Sequence, residues 1–209
     1  MNRAVFLDRD GVLNPVLMRD DKGYAPAAFE DFVIFPEACG ALQSLRDAGY
    51  RLIVVTNQPD VAAGKQRREA VERMHQKMTR ELPLDDIKVC YHADTDDCDC
   101  RKPKPGMILE AAKAWGIDLA ASYMVGDRWK DVEAGKKAGC KTIFIENDFN
   151  EQKPEGQDWT VRSILEASRI ILDKTQVKPL TQLKLKIFAD GADLNVITQM
   201  SRNPLIKGF

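Results

Sequence analysis

No stretch of this 209-residue sequence approaches the roughly 20 apolar residues that a membrane-crossing helix needs. Asp8 also arrives too soon after Met1 for a secretory apolar region, so the sequence reads as cytoplasmic. Neither charge is in excess: 31 Lys and Arg stand against 32 Asp and Glu, with no basic block. That balance excludes the electrostatic footprint of a protein bound to nucleic acid or an anionic membrane. Any anionic ligand must then be held by local groups. A paired set of cysteines is missing too, since the five present make an odd count, which argues against a disulfide framework. What remains, 44% hydrophobic residues in a chain of this length, suffices for one compact core.

Short apolar runs alternate with amphipathic stretches. Ala4 to Leu7, Leu52 to Val55, Ile87 to Cys90, Tyr123 to Val125 and Thr142 to Ile145 read as buried parallel strands. After Pro36, the positions Ala38, Ala41, Leu42 and Leu45 have helical spacing, and Gly49 lies where a C-terminal cap belongs. Further helices are expected over Gln66 to Glu81, Pro105 to Trp115, Asp131 to Ala138 and Thr160 to Leu172. Repeated strand-helix alternation implies an α/β fold with a doubly wound, Rossmann-like parallel sheet. Ligands of such sheets sit beyond the carboxyl ends of the strands, so Asp8, Asp10, Thr56, Asn57, His92 and Asp127 should converge.

Asp8 and Asp10 follow the first strand two residues apart, an offset that aims both carboxylates into one pocket. Two such charges repel unless a cation joins them, and magnesium, a hard cation that favours a few carboxylates plus water and phosphate oxygens, meets the need. Asp127, in Val125-Gly126-Asp127-Arg128, is the third carboxylate. Read alone, Asp-x-Asp-Gly is equally a polar turn. Thr56, Asn57 and Gln58 offer a hydroxyl and amides to phosphate oxygens, or form an ordinary strand exit. Lys102 supplies a point charge and Arg101 a planar fork to a phosphoryl group, or both belong to a solvated basic turn.

Cys90-x-His92 and Cys98-x-Cys100 present three thiolates and an imidazole within one short loop, a closed ligand set for structural zinc. Buried cysteines of a core would have apolar neighbours, whereas Asp94, Thr95, Asp96 and Asp97 lie between the pairs. With four protein ligands the zinc has no open position, and its part would be to stiffen the loop leading into Arg101 and Lys102.

Taken in order, the strand-end acid pair, Thr56, Lys102 and the Gly126-Asp127 pair resemble the four motifs of the haloacid dehalogenase superfamily, over roughly residues 1 to 175. The resemblance implies that Asp8 is the nucleophile and Asp10 the general acid and base, with Asp10 also offering its backbone carbonyl to magnesium. It further implies that Thr56, Arg101 and Lys102 stabilise the phosphoryl group and that Asp127 binds magnesium. Substrate contacts implied are Arg9, Asp21, Gly23, Tyr24, Asn57 and Gln58. Asp131 is read as the cap of its helix. The zinc loop running into Arg-Lys-Pro is similar to the branch with heptose bisphosphate and histidinol-phosphate phosphatases. The short His92-to-Cys98 spacing is similar to the histidinol-phosphate members, while the Asp-Arg-Asp-Gly-Val-Leu-Asn run, the Lys22-Gly23-Tyr24 turn and Arg-Lys-Pro-Lys-Pro-Gly-Met resemble the heptose members more closely. Their Thr-Asn-Gln-Ser-Gly-Ile-Ala-Arg-Gly is replaced by a run with Pro59 and Asp60 and no arginine. The expected activity is magnesium-dependent hydrolysis of a sugar phosphate, a heptose bisphosphate first and histidinol phosphate second. The reading from a different class is a zinc-stabilised domain that binds a phosphorylated ligand without turning it over.

About 45 residues separate Asp10 from Thr56, too few for a large cap domain, so loops such as Asp20 to Pro26 must exclude water. The tail, 176–209, changes character: Leu183 to Phe188 alternates like a strand, and the Lys186-Ile187-Phe188-Ala189-Asp190-Gly191 string resembles the opening of a transaldolase-like barrel. The expected organisation is a phosphatase domain over 1–175 followed by a tail, 176–209, read as the start of a fused transaldolase-like domain, the alternative being a tail that packs on the phosphatase domain.

Overall fold

The structure is a computed structural model and describes residues 1–19, 21–147 and 152–176. Residues Met1–Leu172 form one compact unit; of the second, Asp173–Phe209, only the end of one helix is described, and the transaldolase-like string lies outside the described residues.

The strands are β1 (Arg3–Leu7), β2 (Leu17–Arg19), β3 (Lys22–Tyr24), β4 (Tyr50–Asn57), β5 (Asp86–Cys90), β6 (Tyr123–Gly126), β7 (Lys141–Ile145) and β8 (Trp159–Val161). The helices are α1 (Ala38–Asp47), α2 (Pro59–Ala62), α3 (Arg68–Glu81), α4 (Gly106–Trp115), α5 (Trp129–Ala138) and α6 (Ile164–Gln176). Six strands form one parallel sheet in the order β5-β4-β1-β6-β7-β8. The chain moves outward from β1 through β4 to β5 and then returns to β6, so the order reverses beside β1. The crevice at that switch point opens at the carboxyl ends of β1, β4 and β6.

Successive side chains of a strand point to opposite faces, and here both faces are covered. Val5, Leu7, Leu52, Val54 and Val125 enter one core with Leu42 and Leu45 of α1, Met74 and Met78 of α3, and Ile164 and Ile171 of α6. Ala4, Phe6, Ile53, Val55 and Met124 enter the other, against Met107, Ile108 and Ala111 of α4 and Ala134 and Ala138 of α5. Burying a side chain such as Phe6 or Leu52 stabilises the fold by about 2 kcal/mol.

All five expected strands form. Two features differ from the sequence reading. Trp159–Val161 is strand rather than the start of a helix, because Trp159, Thr160 and Val161 pair with Ile143, Phe144 and Ile145 at the sheet edge, and α6 begins only at Ile164. The Lys22-Gly23-Tyr24 segment is half of an antiparallel hairpin, with Leu17 opposite Tyr24 and Met18 opposite Gly23. Between Asp10 and Thr56 the described residues hold that hairpin, a 3-10 turn (Phe29–Asp31) and α1, so no cap domain stands there. No described helix is long and apolar enough to cross a membrane.

Candidate active site

Asp8 leaves β1 with its amide still bonded to the Val125 carbonyl, at 2.9 Å, which fixes it against the end of β6. Asp127 follows β6, and Asp131 comes from the first turn of α5. These three buried carboxylates place ligand oxygens within 4.8 Å of one another. Two glycines permit the crowding: a Cβ on Gly11, at φ +83°, would occupy the space of the Asp127 carboxylate, and one on Gly126 would occupy that of Asp131.

Crowding in one dry place opposes the ionisation of Asp8 and Asp127. Burial pushes Asp8 up to about 6 against the pull of Lys102. Burial, then Asp8 and Asp131, raise Asp127 well above the usual carboxylate range. Asp127 Oδ2 accepts from Asn147 at 3.2 Å, while its buried Oδ1 has no hydrogen-bond partner among the described residues. An orphaned carboxylate oxygen beside two more carboxylates is a donor set that fits a hard divalent cation such as magnesium.

Lys102, 3% exposed, places Nζ 2.9 Å from Asp8 Oδ1 and 2.6 Å from Asp131 Oδ1. Its backbone is clamped by Asn57, whose Nδ2 donates to the Lys102 carbonyl at 3.0 Å and whose Oδ1 accepts from the Lys102 amide at 3.1 Å. Asp131 caps α5, as its sequence position suggests, by accepting from the Arg128 amide at 2.9 Å. It also anchors Lys102, a duty the sequence did not reveal, because the rule of residues just after strands stops at Asp127, one helical turn short.

Asp10 faces the same cavity but lies outside that trio. Its carboxylate accepts from Arg9 Nε at 3.1 Å and Nη2 at 2.9 Å, from Gln58 Nε2 at 2.9 Å and from Asn14 Nδ2 at 2.9 Å. Burial pushes Asp10 up, but Arg9, with help from Asn14 and Gln58, outweighs it and holds the carboxyl below its ordinary value.

The cavity has a volume of about 420 Å³. Of the residues expected from the sequence, Asp8, Asp10, Gly23, Tyr24, Asn57, Arg101 and Lys102 line it. Arg9 and Gln58 do not. Both are buried, at 0% and 1% exposure, and are spent on orienting Asp10 rather than on touching a ligand. Asp21 is exposed at the hairpin turn, with φ 57°, and is also off the wall. Thr56 sits one layer in, accepting from Gln58 at 2.9 Å, which leaves its own O–H able to donate. The wall further holds Lys22, Asp60, Arg128, Trp129 and Lys130, which strand-end reasoning passed over. Arg128 Nη2 donates to the Gly23 carbonyl at 2.7 Å and so ties the hairpin to the start of α5.

Cys90, His92, Cys98 and Cys100 gather beside this cavity rather than in it. Cys90 Sγ lies 3.1 Å from Cys100 Sγ and 3.8 Å from Cys98 Sγ, and His92 Nδ1 is 3.2 Å from Cys100 Sγ. Two zinc-thiolate bonds at the tetrahedral angle span about 3.8 Å, so the four side chains fit zinc. Burial pushes the Cys90 thiol up to about 12, which makes a bound cation the natural way to hold it as thiolate. Arg101 couples the loop to the cavity: its Nε donates to Asp94 at 2.7 Å and its Nη1 to the His92 carbonyl at 3.1 Å.

A family model described as haloacid dehalogenase-like hydrolase matches residues 13–139. The chain is 35% identical over 191 residues to a D-glycero-beta-D-manno-heptose-1,7-bisphosphate 7-phosphatase of Escherichia coli K12, covering 84% of this chain and 96% of the relative. It is 37% identical over 185 residues to the protein of the same name from Pasteurella multocida, covering 82% and 97%. A crystal structure of D,D-heptose 1,7-bisphosphate phosphatase from B. bronchiseptica, complexed with magnesium and phosphate, superposes with a TM-score of 0.71 at 28% identity, covering 82% of this chain and 99% of that one.

Proposed function

The chain belongs to the haloacid dehalogenase-like hydrolases, and from that premise we propose that it is a magnesium-dependent phosphatase that removes the 7-phosphate of D-glycero-D-manno-heptose 1,7-bisphosphate. The observation that carries the chemistry is the Asp8, Asp127 and Asp131 cluster with Lys102 at the switch point of the sheet. The cavity wall carries Lys22, Arg101, Arg128 and Lys130 besides Lys102, more cationic groups than one phosphate requires, which supports a bisphosphate.

Asp8, Asp127 and Asp131 would hold magnesium, with the Asp10 backbone carbonyl as a further ligand; the ion supplies positive charge against the phosphate oxygens. Asp8 attacks phosphorus, forming a phospho-aspartate as the ester oxygen departs. Asp10 gives that oxygen its proton, then takes one from the water that attacks the phospho-aspartate, releasing phosphate and restoring Asp8. The dianionic substrate raises Asp10 against the pull of Arg9, the direction an acid needs. Lys102 follows the charge of the transferring group, with Arg101, Asn57 and the Thr56 hydroxyl as further donors.

Phosphate release from heptose 1,7-bisphosphate, heptose 1-phosphate and histidinol phosphate, measured with and without magnesium, tests this reading. The bisphosphate should exceed the other two in kcat/KM by at least about tenfold. Equal or greater turnover of histidinol phosphate overturns the substrate; no turnover of any overturns the activity.

The zinc loop is proposed to act through Arg101 and Lys102. Stripping zinc while keeping magnesium saturating should lower kcat by about 10- to 100-fold and restore on zinc addition. Full activity in a preparation shown by metal analysis to lack zinc would refute that. Retained thiolates suit a reducing compartment, which supports cytoplasmic residence. The fusion proposal rests on the likeness of the 176–209 segment to a transaldolase-like opening, and a longer transcript of the same reading frame tests it.

A further inference from the structure

Arg9 is a fully buried cation whose side chain never reaches the cavity, so its five N–H groups must find acceptors inside the protein. Nε and Nη2 find Asp10 and the Gln58 carbonyl oxygen, the latter at 3.0 Å. Nη1 faces α3, where it meets His75 Nε2 at 3.2 Å and the Met74 sulfur at 3.8 Å. Sulfur is a weak acceptor, which leaves His75 as the strong one. Because a guanidinium has donors only, His75 Nε2 must present its lone pair, with the ring proton on Nδ1. Burial, reinforced by Arg9, lowers His75 to about 4, so the ring is neutral and able to accept at neutral pH. The Phe32 ring lies 5.6 Å from the guanidinium carbon and closes one side.

We propose that His75 is a positioning residue for catalysis: it fixes the rotation of the Arg9 fork, and Arg9 in turn aims the Asp10 carboxylate at the oxygen of the leaving group. The inference rests on Asp10 as the proton donor of a phosphatase and is independent of which sugar phosphate is the substrate. Asn14 and Gln58 hold Asp10 from its other sides, so losing His75 tilts the carboxylate rather than freeing it. A tilt harms proton transfer, which needs a short, directed contact, more than it harms the attack by Asp8.

That difference gives a readout that a packing role would not move. An alkoxide leaving group needs its proton during phosphoryl transfer, whereas p-nitrophenolate departs without one. The test compares kcat/KM for an alkyl phosphate that the wild-type enzyme hydrolyses with kcat/KM for p-nitrophenyl phosphate, in His75→Leu and His75→Gln. Both values come from one preparation, so their ratio is insensitive to any fraction that fails to fold. His75→Leu should lower the alkyl-to-aryl ratio about tenfold, and His75→Gln, whose side-chain oxygen can accept from Nη1, should bring it back to within about threefold of wild type. A ratio unchanged in His75→Leu overturns the proposal, as does an equal loss in both variants. If the heptose bisphosphate proves not to be a substrate, any other alkyl phosphate turned over by the wild type serves, so the two readings fail separately.

Discussion

Replacing Asp8 with Asn is expected to cut magnesium-dependent phosphate release by at least about a thousandfold while making the magnesium-free protein more stable. The loss follows because an amide cannot form the acyl phosphate, and neither Asp127 nor Asp131 can substitute, one being wedged against Gly11 and the other engaged with Lys102 and the Arg128 amide. The gain follows from the raised pKa. With a folded value of about 6 against the ordinary 3.8, Asp8 binds more proton in the folded than in the unfolded chain between those values, so its ionisation costs stability as pH rises through that window. The cost is complete above about pH 6 and absent below about pH 4. Asp8→Asn should remove it, raising stability at pH 7.5 by up to about 3 kcal/mol and by little at pH 4. Thermal melts across pH check this, in magnesium-free buffer without a chelator so that the zinc loop stays intact. A variant that retains a tenth of the activity, or that melts lower than wild type at pH 7.5, contradicts the assignment of Asp8 as a nucleophile held among repelling charges.

Lys102→Met should produce the opposite pairing, a loss of both activity and stability. Methionine keeps most of the stem and removes the charge that lies between Asp8 and Asp131. Breaking a buried pair from one side leaves uncompensated charge and typically costs about 3–5 kcal/mol, and removing one electrostatic stabiliser of a transition state costs about 10²–10³ in rate. Magnesium supplies a substitute cation to the same carboxylates, so it should restore much of the melting temperature and none of the rate. Melts and kcat/KM at rising magnesium separate the two. Activity within tenfold of wild type at saturating magnesium would remove Lys102 from the mechanism.

Much of the site was legible because its chemistry depends on residue type at strand ends. The apolar runs ending at Leu7, Val55 and Val125 each deliver their next polar residues to the same edge of a parallel sheet, so the sequence alone groups Asp8, Thr56 and Asp127. The Cys90, His92, Cys98 and Cys100 set was legible for a similar reason, since three thiolates and an imidazole in one short loop have few other uses. Arg9 shows where that reasoning ends. The family resemblance implied a ligand contact for Arg9, between Asp8 and Asp10, yet whether a side chain beside a site faces the ligand or the core depends on what the rest of the chain packs beneath it. Here α3 brings His75 and Met74, 65 or so residues away, to receive the guanidinium.

The sequence by itself determined the period of the strands, the order of the acidic, hydroxyl, lysine and Gly-Asp motifs, and the clustering of Cys90, His92, Cys98 and Cys100 in one loop, because each is a local property of neighbouring residues. Only the tertiary structure decided that Asp8, Asp127 and Asp131 come together, how Lys102 is held between Asp8 and Asp131, and that Arg9 turns inward. It also made Trp159–Val161 a strand, because Ile143 to Ile145 offered an edge to pair with. These depend on contacts between residues far apart in the chain, where burial and mutual charge, rather than the preference of any one residue, set the outcome.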